Sequence, residues 1–140
     1  MNIQPISSLQ EIEKCYEAFL ELRPHLQDQK QFLEQVLDQK KEGYQITAVF
    51  EKEHVAAAIG YRILTALAWG KVLYIDDLTT REKFRGKGYG GALLDHAIKH
   101  AKTLGCDQVH LDTGYTRHVA HRVYLKHGFQ FNCHHLSLVL

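Results

Sequence analysis

Between Phe84 and Leu94 the sequence reads Phe-Arg-Gly-Lys-Gly-Tyr-Gly-Gly-Ala-Leu-Leu, which sets glycines at 86, 88, 90 and 91 and cations at 85 and 87. Glycine lets backbone N–H groups converge on a ligand with no Cβ in the way. The segment lies between a predicted strand and an amphipathic helix. The first turn of that helix adds unpaired N–H groups and a partial positive charge. Arg85 and Lys87 add full charges on either side of Gly86. Together these features predict a cradle for a pyrophosphate.

Two other readings of the loop stand beside this one. Gly86, Gly88 and Gly91 satisfy G-x-G-x-x-G, the dinucleotide fingerprint, and Asp112 falls near a later strand end where a ribose-binding acid belongs. Against it, the stretch from Thr80 to Phe84 separates strand from loop, and too little chain follows for a doubly wound sheet. The other reading is a plain strand-to-helix turn, which needs neither so many glycines nor the cations between them.

The spacing Arg85-x-x-Gly88-x-Gly90, after a strand and opening a helix, resembles the acetyl-CoA-binding motif of the GNAT N-acetyltransferase superfamily. The resemblance extends upstream to Asp77-Leu78-Thr79-Thr80 and downstream to Val119-Ala120-His121-Arg122-Val123-Tyr124-Leu125-Lys126-His127-Gly128-Phe129. The order of elements along the chain fits as well. The resemblance implies that the backbone of Leu78, Thr79 and Thr80 pairs with the pantetheine arm of acetyl-CoA. It implies that the N–H groups of Arg85, Gly86, Lys87, Gly88, Tyr89, Gly90 and Gly91 hold the diphosphate. Thr80 stands where the family usually has an aliphatic residue, and Glu82 where it often has proline. Neither departure removes a backbone donor. Where an asparagine often contacts the cofactor arm this chain has Arg117, which is able to reach a phosphate instead, as is Lys126.

Moving acetyl from a thioester to an amine poses three problems. The amine must lose a proton, the developing oxyanion needs a donor, and the leaving thiolate needs a proton. Tyr124 occupies the position of the family's general-acid tyrosine; by spacing alone it reads as a core tyrosine on the stripe of Ala120 and Val123. Asp76 and Asp77 end an otherwise apolar strand, a place that disfavours aspartate. Adjacent strand residues face opposite ways, so only one of the two is expected on a given side of the sheet. One of them is expected to bind a cationic amine or relay its proton through water; the alternative is an exposed strand end. His118, His121 and Tyr115 are lesser candidates for contacts to the acceptor. His96 and His100 are expected on the wet face of the long helix, and no metal site is expected.

The elements that must position these residues follow from periodicity. Met1–Ile6 reads as a first strand. Ser8 and Glu11 are spaced for a capping box, with Leu9, Ile12, Tyr16, Phe19 and Leu20 at helical spacing behind them. Pro24 interrupts, and a second helix carries Phe32, Leu33, Val36 and Leu37 before Gly43. Tyr44–Phe50, Val55–Leu67 and Val72–Thr79 form an antiparallel meander. Beyond the glycine loop come a long helix with Leu93, Leu94, Ala97, Ile98 and Ala101, a strand at Val109–Leu111 and a helix over His118–His127. One or two closing strands are expected over Phe129–Leu140. The expected fold is a single α/β domain over residues 1–140, with a mixed, mainly antiparallel central sheet flanked by helices. The resemblance implies that the strand ending at Thr79 and the one at Gln108–Thr113 splay apart to admit acetyl-CoA.

The 140 residues carry 17 Lys+Arg against 16 Asp+Glu, a formal net charge of +1, which argues against a general nucleic-acid binder. No apolar stretch approaches the roughly 18 residues that span a bilayer, and three well-separated cysteines suggest reduced thiols in a cytoplasmic protein. Three functions remain open at this point: an acetyl-CoA-dependent N-acetyltransferase acting on a small-molecule or peptide amine, a non-catalytic CoA sensor, and a nucleotide-dependent oxidoreductase. The apolar closing segment Leu136–Leu140 is able to extend a sheet across a homodimer.

Overall fold

Ser8 caps the first helix as its spacing predicts. Its Oγ accepts the Glu11 N–H at 3.2 Å, and Glu11 Oε2 accepts the N–H groups of Ser8 at 2.9 Å and Ser7 at 2.8 Å. Helix α1 (Leu9–Leu22) then stops at Arg23, which leaves the helical region at φ −123°, ψ 76°. The following Pro24 disfavours a helical conformation there. Helix α2 (Gln29–Lys41) starts from Asp28, whose carboxylate accepts the Gln31 N–H at 2.8 Å.

The computed structural model describes residues 1–140. The remaining elements are β1 (Asn2–Ile6), β2 (Gln45–Glu51), β3 (His54–Ala66), β4 (Gly70–Thr80), a 3-10 turn (Glu82–Phe84), α3 (Tyr89–Thr103), β5 (Gln108–Leu111) and α4 (His118–Lys126). They build one five-stranded sheet in the order β1-β2-β3-β4-β5, antiparallel except for the parallel pair β4–β5. Pro5 is accommodated in β1 because that strand lies at the sheet edge.

Strand alternation sends apolar residues to both faces. On one face Ile12, Cys15 and Phe19 of α1 and Phe32 and Val36 of α2 pack on Ile46, Ala48 and Ala58. On the other, Leu93, Leu94, Ala97 and Ala101 of α3 pack on Ala57, Ile59, Leu73 and Ile75. The site grows from two irregularities in β4. Its pairing with β5 ends at Ile75–Leu111, so from Asp76 to Thr80 the β5-facing edge is open and the two strands part. In its pairing with β3, Tyr61 faces Ile75 but Gly60 faces Asp77, which makes Asp76 the extra residue of a β-bulge.

The closing strands expected over Phe129–Leu140 do not form. That stretch has no regular structure, and Phe131, Leu136, Leu138, Val139 and Leu140 are exposed. β5, with 4 residues, offers a short edge to pair with, and His135 is drawn across the strand's end by Asp112, 3.2 Å away.

Candidate active site

The loop from Arg85 to α3 has the geometry of an anion cradle. Gly86 and Gly88 are left-handed at φ +81° and +78°, and a Cβ on either would point into open space. Backbone conformation selects glycine at these two positions, because a side chain there is strained. The first helical bond is Ala92 N–H to Gly88 O at 3.0 Å, and the N–H groups of Gly86 through Gly91 have no acceptor within the protein. Gly90 lies against Thr80, with 3.6 Å from its Cβ position to Thr80 Oγ1. Gly91 lies against His127 of the α4 terminus, 3.6 Å from its Cβ position to Cε1. The loop is thus seated between the open end of β4 and the C-terminus of α4.

The predicted cations of the cradle are placed unequally. Arg85 is exposed and donates from Nε to Thr80 O at 3.2 Å. Lys87 Nζ lies 2.5 Å from Glu51 Oε1, which also accepts the Tyr89 hydroxyl. These two donors hold Glu51 below its usual carboxylate range, and Glu51 in turn raises Lys87. Lys87 is thus engaged by a carboxylate, whereas Arg85 has no acidic partner.

Thr79 is buried, and Leu78 and Thr80 are half-buried along the open edge of β4. Tyr124 packs against the core beneath α3, its ring centroid 6.0 Å from that of Phe129. Its hydroxyl has no hydrogen-bond partner in the protein. Burial raises the phenol, with Arg117 pulling weakly the other way, so it holds its proton at neutral pH. Arg117 caps α4, and Lys126 lies in its last turn; both are exposed.

The expectation that Asp76 and Asp77 point to opposite faces is overturned by the bulge. Ile75 and Leu78 pack on the α3 side, while the two aspartates between them share the α1 side. The extra residue resets the alternation by one. Each aspartate also carries a guanidinium. Arg62 grips Asp76 with two bonds, Nε at 3.1 Å and Nη2 at 2.7 Å. Arg23 donates to Asp77 Oδ1 from Nε at 3.1 Å and Nη2 at 3.0 Å, and to the Asp76 carbonyl oxygen at 3.1 Å. The Tyr44 hydroxyl donates to Asp77 Oδ2 at 2.7 Å. Desolvation raises Asp76 above its usual range against the pull of Arg62. Burial, then Asp77, raise the Tyr44 phenol.

Sequence reasoning missed Arg23, Arg62, Tyr44 and Gly60 as parts of this cluster. One signal was present: a glycine inside a strand marks close approach. A Cβ on Gly60 would meet the Tyr44 ring, 2.8 Å from Cε1, so the glycine admits the hydroxyl to Asp77. Also missed was what gathers around Asp112, which the sequence offered only as a candidate ribose-binding acid, just past the fork on β5. There Asp112 accepts the Tyr74 hydroxyl and faces His135 Nδ1 at 3.2 Å. Among the lesser candidates, Tyr115 is exposed and His121 Nε2 bonds Gly114 O at 2.8 Å, facing its own loop. His96 and His100 are half-buried rather than wet, because α3 turns them toward the sheet, where the His100 ring meets Tyr61 edge-on at 5.8 Å.

A family model, that of the acetyltransferase (GNAT) family, matches residues 6–129. The uncharacterized N-acetyltransferase YhdJ of Bacillus subtilis (strain 168) is 34% identical over 131 residues, covering 92% of each chain. A putative acetyltransferase from Agrobacterium tumefaciens superposes with a TM-score of 0.84 at 23% identity, over 100% of both chains. A ribosomal-protein-alanine N-acetyltransferase from Brucella melitensis gives 0.85 at 12% identity, again over 100% of both, a likeness of fold.

Proposed function

Because the chain belongs to the GNAT acetyltransferase family and is thereby an acyltransferase, we propose that its acyl donor is acetyl-CoA and its acceptor a primary amine of a small molecule or peptide. The observation that carries this reading is the run of unpaired N–H groups from Gly86 to Gly91, set at the mouth of the β4–β5 fork. A diphosphate fits there on three counts: donors that lack acceptors, glycines that leave the approach clear, and Arg85 beside them.

When bound, acetyl-CoA supplies the activated thioester; the chain's residues orient it and manage protons. The open backbone of Leu78, Thr79 and Thr80 pairs with the pantetheine amides, which draws the thioester into the fork. Arg117 and Lys126 add positive charge near the phosphates. Asp76 and Asp77 face the acceptor side, where their carboxylates attract a cationic amine while Arg62 and Arg23 fix their positions. Tyr124 gives its proton to the leaving thiolate. Transfer is direct, with no acyl-enzyme, because holding both reactants in one fork makes the step effectively unimolecular.

The test is release of free CoA from acetyl-CoA against polyamines, lysine peptides, peptide N-termini and aminoglycosides. Turnover on one of these classes supports the proposal. Thermal stabilisation by CoA with no turnover on any amine would instead mark a CoA sensor, and stabilisation by NAD but not CoA an oxidoreductase.

A further inference from the structure

Both aspartates at the bulge are already gripped by arginines, which leaves neither carboxylate free to take the proton of the acceptor ammonium. Ile75 and Leu111 are the last paired residues of β4 and β5, so the next residues, Asp76 and Asp112, stand on the two lips of the fork. Asp112 Oδ2 accepts the Tyr74 hydroxyl and receives His135 Nδ1 at 3.2 Å. A carboxylate that orients one ring nitrogen of a histidine leaves the other, Nε2, with its lone pair outward. The His135 side chain is 65% exposed, so that nitrogen is accessible to a solute.

We propose that His135, oriented by Asp112, is the general base that deprotonates the acceptor amine. This rests on the acetyl-transfer reading above. Nε2 takes one proton from R–NH3+, giving the imidazolium. The freed lone pair forms the N–C bond at the thioester carbonyl as the C–S bond breaks. The thiolate leaves with the Tyr124 proton, and the surplus proton on nitrogen returns through water to the Tyr124 phenolate. The net products are the amide, free CoA and one proton held on His135 and passed to solvent. Tyr74 and Asp112 are positioning residues here.

The ionisable groups around His135 are Asp112 from the end of β5, Tyr74 of β4 through it, and Cys133 and His134 on its own segment. Across the fork stand Asp76 and its partner Arg62. The decisive comparison is His135→Gln against His134→Gln, assayed with acetyl-CoA and the amine that the wild-type enzyme prefers, over pH 5.5 to 9. His135→Gln is expected to lose about 100-fold in kcat and the acid limb of the kcat/KM profile, with CoA binding unchanged. His134→Gln is expected to behave as wild type. Independently of activity, long-range 1H–15N spectra of the wild type should show His135 as the Nδ1–H tautomer. Turnover of His135→Gln within twofold of wild type with the same profile, an equal loss in His134→Gln, or an Nε2–H tautomer would each overturn the assignment. A wild-type enzyme silent on every amine overturns the acetyl-transfer reading, and this inference with it.

Discussion

The guanidinium of Arg23, the residue that ends α1, donates to the carbonyl oxygen of Asp76, the extra residue of the β4 bulge, at 3.1 Å. A bulge leaves a residue outside the ladder, and Arg23 supplies a partner for it. The carbonyl of Asp76 and the N–H of Asp77 belong to one planar peptide and point in opposite directions, so holding one aims the other. Arg23→Met is expected to cost about 1 kcal/mol of stability, less than a buried bond to a charged group because the arginine side chain is 40% exposed. Urea unfolding measures this. The same variant is expected to lower kcat more than it raises the KM for acetyl-CoA.

Gly60 answers to Tyr44. A methyl group at 60 meets the phenol ring that reaches Asp77, and both partners belong to the packed interior. Gly60→Ala is expected to destabilise by about 2 kcal/mol, as overpacking does. An unchanged urea midpoint would show that Tyr44 swings away freely.

Removal of one oxygen from Tyr124 should separate chemistry from binding. The phenol is half-buried and makes no hydrogen bond that the fold needs. Tyr124→Phe is therefore expected to lower kcat by about 100-fold while CoA affinity and thermal stability change little. Unchanged turnover would remove Tyr124 from the mechanism.

How much of this the sequence discloses depends on the range of the interaction. Ser8 with Glu11, the stop at Pro24 and the glycine loop are local, fixed by spacing of a few residues, and all are legible. The parting of β4 from β5 is legible only through the family resemblance. The bulge is not legible, because an extra residue in β4 exists only relative to the register of β3. Alternation therefore put Asp76 and Asp77 on opposite faces, whereas the bulge sets both on one. Arg23, Arg62 and His135 come to the fork from 54, 14 and 23 positions away from Asp77, Asp76 and Asp112, and no spacing rule joins them. The apolar run ending at Leu140 has strand composition, but the partner edge at β5 is short and its end is taken by the Asp112–His135 contact.

Cys15 gives a pH-dependent prediction. Burial in the α1 core, with Glu11 adding to it, pushes its thiol from 9.0 up to about 12. A group raised on folding contributes stability that is fully present below its unfolded value and is lost as pH rises through the folded one. That contribution is therefore intact below pH 9.0 and fades toward pH 12. In the native protein at pH 8, iodoacetamide is expected to modify the exposed Cys133 and spare Cys15. Peptide mapping reads this directly, and equal labelling of the two would contradict the burial of Cys15.

The most direct test of the account is a titration of the 15N-labelled protein with CoA, followed amide by amide. The account predicts that the largest shifts fall on Gly86 through Gly91, and that Gly88→Val, which forces a branched side chain into the left-handed region, abolishes them. Binding that leaves those amides unmoved, or that survives intact in Gly88→Val, would contradict it.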